Sequence, residues 1–201
     1  MIAELRPGLY RWTAPHPEWT PDAEPGGPLD WPELVGSVAV ATDTGLVLID
    51  AQLPPDPEAI WPELDRLVAA HGPAVTVLTT VRFHRRSWQQ LVERYGAHHR
   101  KARDADVPGV EPFVVPDADE TMLWLPGPRA LVAGDRLIGD GAGGVRVCPA
   151  SWLEYLPPGL DAGGLKERLR PLLDLPVELV LVTHGEPVLE DGRTALSKAL
   201  A

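Results

Sequence analysis

The chain has 201 residues, of which 44% are hydrophobic, so it can bury a sizeable core, and we expect one domain spanning residues 1–201. Its formal net charge of -11 repels phosphate backbones, which argues against a nucleic-acid partner. No apolar run approaches the roughly 20 residues that cross a bilayer, and no signal-peptide pattern is found at the amino terminus. We therefore expect a cytoplasmic protein that binds neither nucleic acid nor membrane.

The first predicted elements are a loop and a hairpin. Residues 14–33 are rich in proline and acidic side chains, which is typical of an irregular loop, and Trp19 and Trp31 within it are candidates for a pocket mouth. The apolar runs 37–41 and 46–49 flank a Thr-Asp-Thr-Gly turn. This arrangement predicts two buried antiparallel strands.

The rest of the chain alternates between helical and strand patterns. Prolines within 54–57 predict the start of a helix that has apolar residues at the helical period over 60–68 and ends at Gly72. The β-branched run 74–78 predicts an interior strand followed by a helix at 88–95. The later elements are predicted in this order: short strands within 113–133, a helix over 165–173, a strand at 179–182 and a closing helix at 194–200. This order favours an α/β (α+β) architecture in which two sheets pack together beneath outer helices.

Polar residues stand where several apolar runs end, the place where α/β proteins put functional loops. The run Leu-Val-Ala-Gly-Asp ends at Asp135, Leu-Val-Thr-His contains His184, and Val-Leu-Ile-Asp ends at Asp50. In order and spacing these three signals resemble the metallo-β-lactamase superfamily, and the resemblance covers nearly the whole chain. It implies a four-layer αββα sandwich of two mixed sheets with outer helices.

The resemblance also implies a metal site, usually for zinc, built on a His-x-His-x-Asp-His loop. The matching loop is 80–87, and none of the four motif ligands is present in it. The residues at those positions are Val81, Phe83, Arg85 and Arg86. A further family histidine has no counterpart within 115–120, which contains Asp117 and Asp119. Only Asp135 and His184 match ligand positions, while His84 lies one residue from the nearby ones and needs a different loop path to point inward.

The first functional hypothesis is a non-catalytic or altered relative of these enzymes with a degenerate metal site and no cofactor. A buried Asp135 without metal needs a cation, and Arg85 or Arg86 could pair with it because guanidinium stays charged and grips carboxylates with two hydrogen bonds. We expect Asp50 to be structural, bonding loop amides, and His184 to remain as a hydrogen-bonding or catalytic group beside Asp135.

Two alternatives remain open. One is a mononuclear hydrolase of an ester, lactone, thioester or phosphoester, in which zinc or another divalent metal is held by Asp135 and His184 with His84 or Asp117. The other is a metal-independent enzyme in which a small anionic substrate is bound by arginines and His184 acts as acid or base. The arginines are Arg82, Arg85 and Arg86. No other catalytic pattern competes, and the single cysteine, Cys148, is expected to be a packing residue.

Overall fold

A six-stranded sheet forms the first half of the protein, whose computed structural model describes residues 1–156 and 159–201. Its strands lie side by side in chain order, antiparallel from the first to the fourth and parallel from the fourth to the sixth. They are β1 (Ala3–Arg6), β2 (Leu9–Pro15), β3 (Leu34–Thr42), β4 (Gly45–Ile49), β5 (Val75–Thr79) and β6 (His98–Lys101). The sheet is therefore mixed, and its central strands read as continuous apolar runs because both faces are covered.

The second half contains a four-stranded mixed sheet and a short ribbon. The strands are β7 (Glu111–Val115), β8 (Glu120–Leu125), β9 (Ala130–Ala133), the ribbon β10 (Leu137–Gly139) and β11 (Val145–Val147), and β12 (Leu179–Val182). Within the sheet the order is β12-β9-β8-β7, and β12 pairs with β9 in parallel while the other pairs are antiparallel. The strand predicted at 179–182 is confirmed residue for residue.

In the part of the chain that the structure describes, four helices cover the outer faces of the two sheets: α1 (Trp61–His71), α2 (Trp88–Tyr95), α3 (Ala162–Leu169) and α4 (Gly192–Ala199). One apolar cluster joins α1 and α2 to the first sheet, and another, which includes Cys148, joins α3 and α4 to the second. Among the described residues no helix is both long and apolar enough to cross a membrane.

A third apolar cluster lies between the sheets and shows why β4 is apolar throughout. Leu46 and Leu48 face the helices, whereas Val47 and Ile49 face the second sheet and pack in one cluster with residues such as Leu181. Successive side chains of a strand point to opposite faces, so a strand between two apolar layers has to be apolar at every position. The predicted four-layer αββα sandwich is confirmed.

Candidate functional site

The ends of four strands meet at one edge of the sandwich. The parallel neighbours β4 and β5 are followed directly by Asp50 and Thr80, and the parallel pair β9 and β12 ends shortly before Asp135 and His184. The sheets are joined here, because Gly36 N–H donates to the Thr183 carbonyl at 2.7 Å. Residues 130 or more positions apart in the chain thus share one small volume, as the strand-end pattern predicted.

His84 points into this volume because the chain coils after β5. The His84 N–H donates to the Val81 carbonyl at 2.9 Å, and this turn puts Thr80 and His84, four residues apart, on the same face. His84 is buried, and its Nδ1 lies 2.8 Å from Asp50 Oδ2. Phe83, at a motif position, is 61% exposed instead. The different loop path that His84 needed is therefore present.

One carboxylate oxygen of Asp135 lies close to two imidazole rings. Its Oδ1 lies 2.9 Å from His84 Nε2 and 3.4 Å from His184 Nε2. Neither contact has hydrogen-bond geometry, so within the described residues this buried oxygen has no hydrogen-bond partner. One donor atom from each of the three residues lies within 4.8 Å of the others. The structure brings together His84, Asp135 and His184, which the sequence singled out.

Asp50 holds His84 from the opposite side. Its carboxylate accepts from the Thr80 N–H at 2.8 Å, from the Thr80 hydroxyl, and from His84 Nδ1. Asp50 has a φ of 48° in the left-handed region, a conformation that aspartate tolerates better than most residues. Asp50 accepts a hydrogen bond from a loop amide, as expected, and it also fixes the ring orientation of His84.

Glu120 fixes the loop that carries Asp135. Its buried carboxylate accepts from the N–H groups of Gly134, Asp135 and Arg136 at 2.9, 2.8 and 2.8 Å. Gly134 leaves room for this arrangement, since a Cβ there would lie 2.5 Å from the Thr80 hydroxyl oxygen. Glu120 was not among the residues predicted from the sequence, although an acidic residue directly before a buried apolar run was an available signal.

The alternative third ligand, Asp117, lies elsewhere. Its Oδ2 is 2.9 Å from Arg168 Nη2, and its side chain is 63% exposed. Asp117 is therefore an exposed residue in a surface ion pair, and it does not belong to the cluster of His84, Asp135 and His184.

The buried charges of the site shift one another's pKa. Burial alone would lower the pKa of His84, but the Asp135 and Asp50 carboxylates outweigh it and raise the pKa to about 9. The pKa of Asp135 lies well below its usual value, because the two imidazoles overcome the effect of its burial. Burial lowers the pKa of His184. These shifts follow from the geometry, in which His84 lies between the Asp50 and Asp135 carboxylates and His184 lies beside Asp135.

The prediction that Arg85 or Arg86 pairs with Asp135 is wrong. Arg86 directs Nη1 to the carbonyl oxygens of Gly36 and Asp50, at 3.0 and 2.5 Å, and no arginine among the described residues forms a salt bridge with Asp135. The reason is positional, because the His84 ring reaches both carboxylates directly and takes the place that guanidinium was expected to fill.

The two other arginines of the loop differ in placement. Arg82 lies at the pocket mouth, where its Nε is 3.2 Å from Asp119 Oδ2 and its guanidinium stacks on Phe83. Arg85 is exposed and is not among the described residues that line the pocket. Of the three predicted anion-binding arginines, the structure puts Arg82 and Arg86 at the pocket.

A pocket of about 490 Å³ opens onto the cluster. Residues of the proline-rich loop cover it: His16 and Trp31 lie with ring centroids 4.9 Å apart, and Trp31 meets Trp152 edge to face. Trp31 lines the pocket as suggested, while Trp19 is not among its described lining residues. Burial, then His184, Arg86 and His84, lower the pKa of His16 to about 4 against the opposing effect of Asp135.

Solved structures with the same arrangement of sheets and helices are similar to this chain over its whole length. A metallo-β-lactamase from Hirschia baltica is 11% identical with a TM-score of 0.66, covering 100% of this chain and 95% of that one. A β-lactamase domain protein from Burkholderia ambifaria is 16% identical with a TM-score of 0.64, covering 98% and 71%. The chain has the metallo-β-lactamase fold. No family model matches the sequence, and no curated protein does.

A further structure with the metallo-β-lactamase fold, a metallo-β-lactamase from Pseudomonas aeruginosa in its mono-zinc form, is 13% identical with a TM-score of 0.61 and covers 100% of this chain and 96% of that one. At such identities the similarity establishes the fold alone. What this chain's site can do has to be argued from its own residues.

Proposed function

We propose that the protein binds one divalent metal ion through His84, Asp135 and His184 and hydrolyses an ester, lactone, thioester or phosphoester bond in a small molecule. The observation that carries this proposal is the convergence of one donor atom from each residue within 4.8 Å. Two imidazole nitrogens and a carboxylate oxygen correspond to the three-ligand sets of catalytic zinc sites, in which the fourth position stays open for water.

The surroundings of the three residues fit a metal ion. Asp135 Oδ1 is buried without a hydrogen bond although two imidazole nitrogens lie close to it, which suits an oxygen that shares a cation with them. Asp50 accepts from His84 Nδ1 and so leaves Nε2 as the free nitrogen. Metal-ligating histidines commonly have such a carboxylate partner. The three converging donor residues supply enough ligands for one ion.

Each part of the chain has a defined task in this proposal. His84, Asp135 and His184 hold the ion, and Asp50 and Glu120 keep His84 and the Asp135 loop in place. The chemistry that a divalent ion supplies when bound is polarisation of a carbonyl or phosphoryl oxygen and activation of water. The aromatic side chains that line the pocket, Trp31 and Trp152 among them, would reduce the water around a bound substrate and so strengthen its electrostatic contacts.

A non-catalytic, metal-free binding module is the second candidate, and one observation favours it. His84 lies between Asp50 and Asp135 at 2.8 and 2.9 Å, so groups of this chain balance the buried charge without an added cation. A buried ion pair whose members make further hydrogen bonds can offset its desolvation cost without a metal ion. The pocket beside it would then serve binding alone.

Metal titration separates the two candidates. Chelator-treated protein is titrated with Zn²⁺ and Mn²⁺ by calorimetry, and elemental analysis is run on untreated protein. We expect one ion per chain, with binding abolished in Asp135→Ala and His184→Ala and retained in His98→Ala, an exposed histidine outside the site. Absence of stoichiometric binding, or wild-type binding by the site variants, would overturn the metal-dependent function.

Hydrolysis is measured on chromogenic ester, thioester, lactone and phosphoester substrates in the same proteins. We expect activity that chelation abolishes, that added metal restores, and that Asp135→Ala lacks. Activity that survives chelation but disappears in His184→Ala would instead identify a metal-independent enzyme. Inactivity of metal-loaded protein toward all four substrate classes would refute the proposed hydrolytic activity.

A further inference from the structure

The wall of the pocket contains hydrogen-bond donors that have no acceptor among the described residues. The Nε and Nη2 atoms of Arg86 are buried and make no hydrogen bond. The indole Nε1 atoms of Trp31 and Trp152 are also buried and unpartnered, and all three residues line the same pocket. Buried polar groups are nearly always hydrogen-bonded, so unpaired donors around one cavity indicate acceptor atoms that arrive with a ligand.

Hydrogen bonds from the Nη1 atom of Arg86 hold its guanidinium in place. Nη1 donates to the carbonyl oxygens of Gly36 and Asp50, and the described residues offer the guanidinium no salt bridge. The Arg86 backbone has a φ of 44°, a left-handed conformation that is unfavourable for a non-glycine residue. Surrounding contacts therefore force this cation into the pocket wall, where its charge is not balanced by a direct partner.

The same protein shows what the free edge of Arg86 can bind. In Arg94 the Nε and Nη2 atoms donate to the two carboxylate oxygens of Asp65 at 2.9 and 2.6 Å. That pair of donors is the one left free in Arg86. A planar fork with two parallel N–H groups matches two carboxylate oxygens in spacing and direction.

We propose that the pocket binds the carboxylate of a small, mainly apolar organic acid, with the Nε–Nη2 edge of Arg86 donating to both carboxylate oxygens. The indole N–H groups of Trp31 and Trp152 serve other acceptor atoms of the same molecule. Leu29, Phe83 and Leu156 line the pocket and contact its hydrocarbon part. The inference rests on the proposed function only in identifying this acid as the substrate, because the carboxylate contact needs no metal.

The proposal is tested with phenylacetate, titrated into chelator-treated protein and followed by calorimetry and tryptophan fluorescence. We expect saturable binding of one molecule per chain, and binding of the neutral phenylacetamide at least about tenfold weaker, because the charge-assisted bonds are lost. Arg86→Lys keeps the charge but loses the fork, so it should bind phenylacetate at least about tenfold more weakly. Arg85→Lys, outside the pocket, should bind as the wild type does.

Three results would overturn the proposal. The first is equal binding of phenylacetate and phenylacetamide by wild-type protein, a comparison that decides the matter even if Arg86→Lys does not fold. The second is unchanged affinity in an Arg86→Lys protein with a native near-ultraviolet circular dichroism spectrum. The third is tighter binding of phenylphosphonate than of phenylacetate, which would assign the pocket to phosphoryl groups. A protein that binds phenylacetate but no metal refutes the proposed function alone.

Discussion

Replacing Asp50 by asparagine tests whether this buried carboxylate orients His84 as a metal ligand. Oδ1 of Asp50 accepts from the Thr80 N–H, while Oδ2 accepts from both the Thr80 hydroxyl and His84 Nδ1. An asparagine has one oxygen for these two positions. If that oxygen takes the Oδ2 position, its NH₂ group faces the Thr80 N–H and two donors meet. If it takes the Oδ1 position, the NH₂ group faces His84 Nδ1, which must then carry no proton.

The first orientation loses a buried hydrogen bond and the second forces a change in the protonation of His84, so in either case we expect the free energy of unfolding to fall by about 1–3 kcal/mol. In the second orientation the proton of a neutral His84 moves to Nε2, the nitrogen that faces Asp135. That nitrogen is then unavailable to a metal until the tautomer changes. Loss of such a carboxylate partner typically weakens metal binding about 10- to 100-fold, and we expect a loss in this range for Asp50→Asn.

Stability is measured by urea denaturation, and zinc affinity by competition with a chromophoric chelator. Asp43→Asn, an exposed change of the same kind in the β3–β4 turn, is the matched control and should alter neither quantity. An Asp50→Asn protein that loses stability but binds zinc as tightly as the wild type would refute the orienting role and leave Asp50 purely structural.

Two further predictions concern the loop over the pocket and the glycine before Asp135. Burial lowers the pKa of His16 to about 4, so its packing is stable when the ring is neutral and weakens as the pH falls from 6.5 toward 4. We expect a change in tryptophan fluorescence over that range, through Trp31, and a smaller one in His16→Gln. Gly134→Ala puts a Cβ 2.5 Å from the Thr80 hydroxyl oxygen and should cost about 1–3 kcal/mol by urea denaturation and weaken zinc binding. Unchanged zinc affinity in that variant would contradict the role given to the Asp135 loop.

The positions of Asp135 and His184 could be predicted from sequence because they depend on local patterns. Each follows an apolar run that forms a strand, and β9 and β12 are parallel neighbours in the structure. The carboxyl ends of parallel strands lie at one edge of a sheet, so residues that directly follow them meet there. The same reasoning placed Asp50 at this edge, after β4.

Contacts that depend on the loop path and on distant backbone groups could not be predicted. The position of His84 relative to the motif suggested that it points away, and the turn closed by the Val81 carbonyl reverses this. Glu120 acts through three N–H groups 14 to 16 residues further along the chain, a contact without a local pattern. Arg86 was expected to pair with Asp135, but two backbone carbonyls determine its direction and separate it from that carboxylate.

The site also bears on what the loss of a motif means. Val81 and Phe83 have hydrocarbon side chains, so two motif positions in this loop cannot ligate a metal in any conformation. Yet a ring nitrogen of His84 lies 2.9 Å from Asp135 Oδ1, because one turn of backbone puts residues 80 and 84 on the same face. Metal binding depends on where donor atoms converge in space, not on their spacing along the chain. Substitution of the motif residues is therefore compatible with the proposed one-ion site, because its three donor residues, His84, Asp135 and His184, still converge.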